Sequence, residues 1–530
     1  MPPPLGRERL WLALLLLGTA LLSLWSLGSL PLIDVDEPVY GQVGREMARA
    51  SWSGWLTPHY GGLPWFDKPP LFYWLTALSM HSLGVSEFSA RFPSALLAVV
   101  LVAATYALAR RAFPGIPNVG LWAGFVLATC LQFFLLARAA VTDMTLAATL
   151  TLALLGLYAW TTTGRGRWIA LAGVMTGLGM LTKGPVALVL IGVQTLAYLC
   201  LTRQAKRLLS PALWGGFALC LLVGLPWFLG MIHLHGRLFI DGFLEANNVT
   251  RYLSAEHKET SPFWFFLPVL LGGFFPWSLV LPVALVWAWR QVKEDRREER
   301  SVSPALFFGL WITLVFVFFS ASQSKLITYV FPLYPAMALL VGHRLARRET
   351  FSSTIPLWTY AGISLTLGAG LWLEGEKYAV TPETLWLWAA VLGASGVTTA
   401  LLRKHRRVWL IPGMATALIL ILAWISPTWQ TREADVSERK MAAIANQAGA
   451  SEGVIHALGF KHPSLRYYSS LPVIYTDDHA ASAADIKKHT GVVYAMRTSD
   501  EDELRQRYGV TNVQELWRYG RTVLIRATPK

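Results

Sequence analysis

Apolar runs of about 20 residues, each long enough to cross a bilayer as a helix, recur from Leu10 to about Ile425. Lipid offers the backbone no hydrogen bonds, so such runs must be helical and must satisfy themselves. The basic residues fall between the runs, at Arg7/Arg9, Arg110/Arg111, Arg165/Arg167, Arg203/Lys206/Arg207, Arg290 to Arg300, Arg344/Arg347/Arg348 and Arg403/Lys404/Arg406/Arg407. Placing all of these clusters in the cytoplasm predicts about thirteen spans. The spans are 10–31, 88–109, 118–137, 144–162, 168–182, 185–201, 211–231, 263–289, 304–320, 326–343, 355–373, 384–402 and 408–426. An odd number puts the N-terminus in the cytoplasm and the C-terminus outside, which is the topology expected of a multi-pass protein of the plasma (inner) membrane.

Composition agrees. Of the 530 residues, 54% are hydrophobic and 15% charged, against roughly 25% charged in soluble chains. The first run follows Arg7 and Arg9, as in a signal peptide. However, Ser26-Leu27-Gly28 is a poor cleavage site and many spans follow, so the run is expected to remain as a helix. The net charge of +14 does not indicate nucleic acid, because it sits in the loops where orientation requires it. Cys130, Cys200 and Cys220 all lie inside apolar runs, at a spacing that fits no metal site or disulfide framework. From about residue 428 the long runs stop and charge rises. Short β-rich pieces (453–458, 472–475, 491–495, 523–525) alternate with helical ones (433–447, 483–489, 500–508), predicting a small external α/β domain over 428–530, after a transmembrane domain over 1–427. No internal repeat marks an inverted-repeat transporter.

The external face then collects the unusual polar residues. Asp34-Val-Asp36-Glu37-Pro38-Val39-Tyr40 follows the first span. Pro38 suits a helix start, and Val39, Val43 and Met47 recur at helical spacing, which predicts a helix lying on the membrane surface. Carboxylates at a helix N-terminus are held ionised, ready to act as a general base or to hold a cation, or simply to cap the helix. Trp65-Phe66-Asp67-Lys68-Pro69-Pro70 places an acid–base pair before two stiffening prolines; Lys68 is either a phosphate contact or part of an interfacial anchor. Arg138 and Asp143 flank a tight turn, as a local ion pair or as cavity groups. Lys183 ends one run before Gly184-Pro185, where the alternative is snorkelling. Asn247-Asn248 precede Arg251-Tyr252 and His257. Ser324-Lys325 precede Tyr329, and helical spacing would point Lys325 and Tyr329 the same way.

Acids beside several cations at a bilayer surface suit an anionic leaving group. A sugar phosphate leaves already ionised, so cations can stabilise it without a general acid, and the acceptor hydroxyl needs only a base, which Asp36 can supply. These blocks resemble the GT-C superfamily of membrane glycosyltransferases, in particular the protein O-mannosyltransferase and 4-amino-4-deoxy-L-arabinose (lipid A) transferase branch, of the glycosyltransferase family 39 type. The resemblance rests on Asp36-Glu37-Pro38, Phe66-Asp67-Lys68-Pro69-Pro70, Arg138 to Asp143, Leu181 to Pro185, Arg251-Tyr252, Pro262-Phe263-Trp264 and Ser324-Lys325-Leu326, in order.

The resemblance implies a GT-C fold, a polyprenyl-phosphate-linked sugar donor, inversion at the sugar carbon and an external site. It implies Asp36 as the principal catalytic carboxylate, with Asp143 and Glu37 beside it. Lys68, Arg251 and Tyr329 would meet the lipid phosphate, joined at the donor by Lys325, Lys183, Tyr40 and Arg138. Asp67 and His257 would be ligands for a divalent metal, if this member carries one. The acceptor would be a lipid, a glycan or, for a protein O-mannosyltransferase, a protein; a lipid or solute transporter is the alternative of another class. Four positions depart from the pattern: Val39 where the aminoarabinose transferases carry Arg, Asp67 for Glu, Asn247 for His, and Ile327 for Pro. Val39 leaves the sugar open.

Overall fold

The computed structural model describes residues 6–243, 245, 262–347, 355–374, 382–405, 408–424, 438–448 and 453–529. Among the described residues, helix covers part of each expected span. The first stretch contains α1 (Gly6–Leu24), α2 (Asp36–Arg49), α3 (Leu71–Leu83), α4 (Glu87–Ala112), α5 (Val119–Ala128), α6 (Leu131–Ala137), α7 (Asp143–Thr163), α8 (Gly166–Lys183), α9 (Val186–Leu201) and α10 (Pro211–His235). Then come α11 (Phe266–Gly273), α12 (Leu281–Arg297), α13 (Pro304–Ala321), α14 (Tyr334–Ala346), α15 (Ile355–Glu374), α16 (Pro382–Leu401) and α17 (Leu410–Trp424). Four described helices, α4, α7, α10 and α13, are long and apolar enough to cross a membrane singly, and the bent pair α5–α6 would make a fifth.

Two expected spans are broken. Residues 118–137 bend by 70° between α5 and α6. Thr129 turns its hydroxyl back to the Phe125 carbonyl at 2.7 Å and accepts the Trp277 indole N–H at 3.0 Å, while Cys130 is extended. The span 263–289 is interrupted by Pro276 and a 3-10 turn at Trp277–Leu279 before α12 begins. Hydropathy does not register such interruptions, because the breaking residues are themselves apolar or small.

α7 lies at the centre, buried along most of its length and packed on α4 and α8. Close helix crossings use small residues. A Cβ on Gly173 of α8 would lie 2.0 Å from the Gly216 carbonyl of α10, so only glycine fits there. The basic loops also meet one another: Arg207 donates to the Trp160 and Thr161 carbonyls at 3.1 and 2.8 Å, and Arg110 pairs with Glu8 at 3.3 Å.

The loop 32–87 is ordered. α2 buries Val43 and Met47 as expected from their spacing, and Tyr40 rather than the half-buried Val39, but against protein. A Cβ on Gly44 would lie 2.5 Å from Thr76 of α3. The apolar face of α2 is therefore covered by α3, which corrects the expectation of a helix resting on the membrane surface. The helix also begins at Asp36, two residues before Pro38. A short hairpin, β1 (His59–Tyr60) with β2 (Leu63–Pro64), sits between α2 and α3.

The tail is an α/β unit. After α18 (Glu438–Ala448) come β3 (Ile455–Leu458), α19 (Pro463–Tyr468), β4 (Val473–Thr476), α20 (His479–Lys488), β5 (Val493–Arg497), α21 (Thr498–Gln506), β6 (Val513–Tyr519) and β7 (Thr522–Ala527). The sheet order is β4-β3-β5-β7-β6. Ile455 pairs with both Val473 and Val493 in parallel, and Val493 pairs with Arg526 antiparallel. β6 was not expected. It is an edge strand with no fully buried residue, so its sequence lacks the apolar alternation that marks a strand.

Candidate active site

α7 and α8 run antiparallel through a tight connection, so the first residue of α7 and the last of α8 share one end of the bundle. Asp143 opens α7 and Lys183 closes α8, each on the helix terminus whose dipole favours its charge. Their side chains pair at 2.8 Å, both largely buried. The Lys183 ammonium also stands over the Tyr329 ring, 4.4 Å from its centroid. Lys183 is thus held by an acid and an aromatic ring, and the snorkelling alternative falls.

Asp36 is exposed at the start of α2. One turn further in, Tyr40 is buried and packed edge-on to Phe72 at 5.5 Å and against Tyr73 at 5.6 Å. Its phenol is pushed well above its ordinary value by burial first, then by Asp67, Tyr73, Asp36 and Asp143. Tyr73 is raised likewise, by burial and then by Asp67 and Asp36. Three carboxylates far apart in the sequence are therefore within electrostatic reach of one buried phenol. Asp67 in turn pairs with Lys68 at 2.9 Å, in the turn before Pro69-Pro70. The structure pairs Asp67 with Lys68 and links Asp143 through Lys183 to Tyr329, while Asp36 acts electrostatically on Tyr40 and Tyr73.

Two residues expected at the chemistry are instead part of the architecture. Glu37 points into the protein, and both of its oxygens are engaged by Arg91, at 2.9 and 2.7 Å. The same carboxylate accepts the Ala140 amide at 2.6 Å and the Ile33 amide at 2.8 Å. Arg91, fully buried, spends its remaining donors on the Leu27, Leu30 and Pro31 carbonyls, at 3.1, 2.7 and 2.7 Å. Arg138 is buried too and donates to the Leu22 and Trp25 carbonyls, at 2.7 and 2.6 Å, satisfying the carbonyls that the end of α1 leaves open. It does not pair with Asp143, which takes Lys183. Glu37 and Arg138 thus join α1, α2, α4 and the 138–143 turn.

Lys325 and Tyr329 do not share a helix. α13 stops at Ala321, Ser322 is extended, and 322–330 run as turns. Lys325 donates to the Ser322 carbonyl at 2.6 Å, and burial lowers its ammonium. Arg251, Tyr252, His257, Asn247 and Asn248 lie outside the described residues, so the suggested Asp67/His257 metal pair has only one member in view. Among the described residues, one His/acid group could hold a metal ion by ligand-atom spacing: Asp34, Glu438 and His462. Asp67 is not part of it.

The sequence profile described as dolichyl-phosphate-mannose-protein mannosyltransferase matches residues 67–229. A curated relative from Pseudomonas aeruginosa (strain UCBPP-PA14), an undecaprenyl phosphate-alpha-4-amino-4-deoxy-L-arabinose arabinosyl transferase, is 31% identical over 436 residues, covering 79% of this chain and 76% of the relative. The chain belongs to this family of arabinosyl transferases. A Yersinia pestis (strain Pestoides F) enzyme of the same description is 29% identical, over 77% of this chain and 75% of its own. The fold matches the crystal structure of ArnT from Cupriavidus metallidurans bound to undecaprenyl phosphate, with TM-score 0.81 and 23% identity, over 98% of this chain and 99% of that one. The same protein in the apo state matches at TM-score 0.82. The architecture is thus a GT-C fold, and the protein is a multi-pass membrane glycosyltransferase.

Sequence reasoning missed Arg91. Its signal was present: an arginine inside an apolar run is costly unless it is paired. Nothing in the sequence indicated that its partner would be Glu37.

Proposed function

We propose that the site transfers a sugar from an undecaprenyl-phosphate-linked donor to a lipid or glycan acceptor on the external face, with inversion. The observation that carries this reading is the pairing of Lys68 with Asp67 and of Lys183 with Asp143 against Tyr329, with both acids and Asp36 in electrostatic reach of the buried Tyr40. The acceptor oxygen forms a bond to the anomeric carbon. The bond from that carbon to the donor phosphate oxygen breaks, and its electron pair leaves with undecaprenyl phosphate, which gains a negative charge. Lys68 neutralises that charge with Tyr329, Lys325 and Arg251, so no general acid is needed. The acceptor proton passes to Asp36, exposed at the helix N-terminus. Asp143 holds Lys183, and Glu37 acts by position, fixing the start of α2 through Arg91. A metal, if bound at Asp67, would add charge stabilisation there.

The topology follows the same reading: about thirteen spans with basic loops inside, the N-terminus cytoplasmic and the α/β unit outside. It is supported by the tail packing on the loop 32–87, as when Asp34 accepts the Ser464 amide at 3.0 Å. The family makes 4-amino-4-deoxy-L-arabinose the first donor to test. Val39, where the resemblance expects arginine, is the reason to test others beside it. A second reading, protein O-mannosyl transfer, is favoured by the profile over 67–229. The purified protein, incubated with defined undecaprenyl-phosphate sugars, should consume one donor. Acceptor mass spectrometry then separates lipid, glycan and protein. If both Asp36→Asn and Lys68→Ala leave donor consumption unchanged, the mechanism is wrong.

A further inference from the structure

The acidic motif is held from two sides. Its C-terminal side runs into α2, buried on α3. Its N-terminal side, Leu32 to Asp34, is held by the tail. The Tyr468 hydroxyl accepts the Leu32 amide at 2.7 Å and donates to Glu87 at 3.2 Å. The Asp34 carboxylate accepts the Ser464 amide at 3.0 Å and the Ser464 hydroxyl. His462 Nδ1 stands between two acids, 3.5 Å from Asp34 and 2.7 Å from Glu438. The imidazole is fixed by stacking on Phe460, with centroids 4.1 Å apart, and the His462 carbonyl accepts the Tyr475 hydroxyl at 3.0 Å. Further along α2, Arg45 donates to the Tyr467 carbonyl at 2.7 Å, and a Cβ on Gly41 would lie 3.1 Å from the Tyr467 ring. The tail therefore does not merely cover the loop; it ties down the two residues that lead into Asp36.

We propose that the C-terminal α/β unit positions the catalytic loop for transfer, through a clasp in which His462 holds Asp34 to Glu438. This rests on the reading of Asp36 as the acceptor's base. Asp34 is two residues from Asp36, so a loosened clasp moves the base directly. Misplacement by about 1 Å can cost up to ~10²-fold in rate. Asp34, His462 and Glu438 act through Asp36 and are positioning residues.

The clasp is charged at neutral pH. Hydrogen bonds to Asp34 and then Glu438 raise His462 to about 9, against the opposing effect of burial. Burial raises Glu438, but the hydrogen bonds from His462, the Glu438 backbone and Ser464, with the charge of His462, together outweigh it and its carboxyl ends lowered. The neighbouring charge on the same segment, Lys461, is engaged by Asp477 at 2.8 Å, and Tyr475 meets His462 at its backbone. Both acids face Nδ1, whose one proton serves the nearer Glu438, so Asp34 is held by the imidazolium charge, and the clasp loosens as that charge is lost when pH rises through about 9.

The test uses the full-length protein with undecaprenyl phosphate-4-amino-4-deoxy-L-arabinose, or with whichever donor it consumes, and measures kcat and donor KM from neutral pH to above pH 9. His462→Gln should lower kcat by roughly ten- to a hundredfold with donor KM unchanged. His462→Lys, which keeps a cation to higher pH, should recover kcat and move the alkaline limb upward. Adding Asp34→Asn to His462→Gln should cost little more than either change alone. Wild-type kcat and an unmoved alkaline limb in His462→Gln would overturn the proposal. If that variant does not fold, His462→Lys decides: recovered turnover with a shifted limb supports the clasp, and an unshifted limb overturns it. Asp36→Asn, run alongside, separates the two claims. Turnover surviving Asp36→Asn sinks the catalytic reading, whereas an inactive Asp36→Asn beside a normal His462→Gln sinks only the clasp.

Discussion

Asp36 and Glu37 are adjacent carboxylates that belong to two different regions. Glu37 lies in a buried knot of charge, where Arg91 and two amides occupy its oxygens and Arg138 closes the end of α1 nearby. Asp36 lies exposed at the start of α2, within electrostatic reach of the phenol of Tyr40, as is Asp67, the partner of Lys68. Burial with saturated hydrogen bonding makes a charge structural, because moving it would strand every partner. Exposure at a helix N-terminus leaves a carboxylate accessible to a proton arriving with a substrate. The same carboxylate group one position apart serves architecture in one case and chemistry in the other, and accessibility decides which.

The comparison breaks if the two regions respond alike to substitution. The largest effect is expected in the knot. Arg91→Leu strands the buried Glu37 carboxylate and should cost about 3–5 kcal/mol of stability, read by thermal or denaturant unfolding in detergent. The double change Glu37→Leu/Arg91→Leu should recover only part of this, because the Ile33 and Ala140 amides still lose their acceptor. At the candidate site the loss should appear in turnover. Lys183→Met should lower kcat by roughly 10²-fold, and Lys183→Arg should retain part of it. Lys68→Ala should lower kcat about tenfold through the loss of one charge-assisted contact to the leaving phosphate, with the melting temperature nearly unchanged. The smallest effect concerns the tail. His462 is raised from 6.5 to about 9, so its contribution to stability is complete below pH 6.5 and is lost as pH rises through about 9. Unfolding of the wild type should show that decline, and His462→Gln should flatten it.

Much of this was legible in the sequence because it depends on local pattern. The apolar runs located the helices. The polar residues left between them included Asp36, Asp67, Lys68, Asp143 and Lys183, five of the groups that act on Tyr40 and Tyr329 or pair with those that do. What stayed hidden depends on tertiary partners. Glu37 reads like Asp36 until Arg91 is placed against it. Arg138 looked like a partner for Asp143, five residues away, yet it caps a helix more than a hundred residues earlier, and Asp143 takes a lysine forty residues later. The spacing of Lys325 and Tyr329 suggested one helix face, but α13 ends before both. The link between Asp34 and Ser464 spans 430 positions, and no periodicity carries a signal over that distance.

The most direct test of the account is to compare Asp36→Asn with Glu37→Gln in the same preparation, measuring donor consumption and melting temperature for each. Asp36→Asn should reduce turnover by about 10²–10⁴-fold, as expected for loss of a general base, while melting like the wild type. Glu37→Gln should melt well below it. Turnover that survives Asp36→Asn in a folded protein would contradict the account.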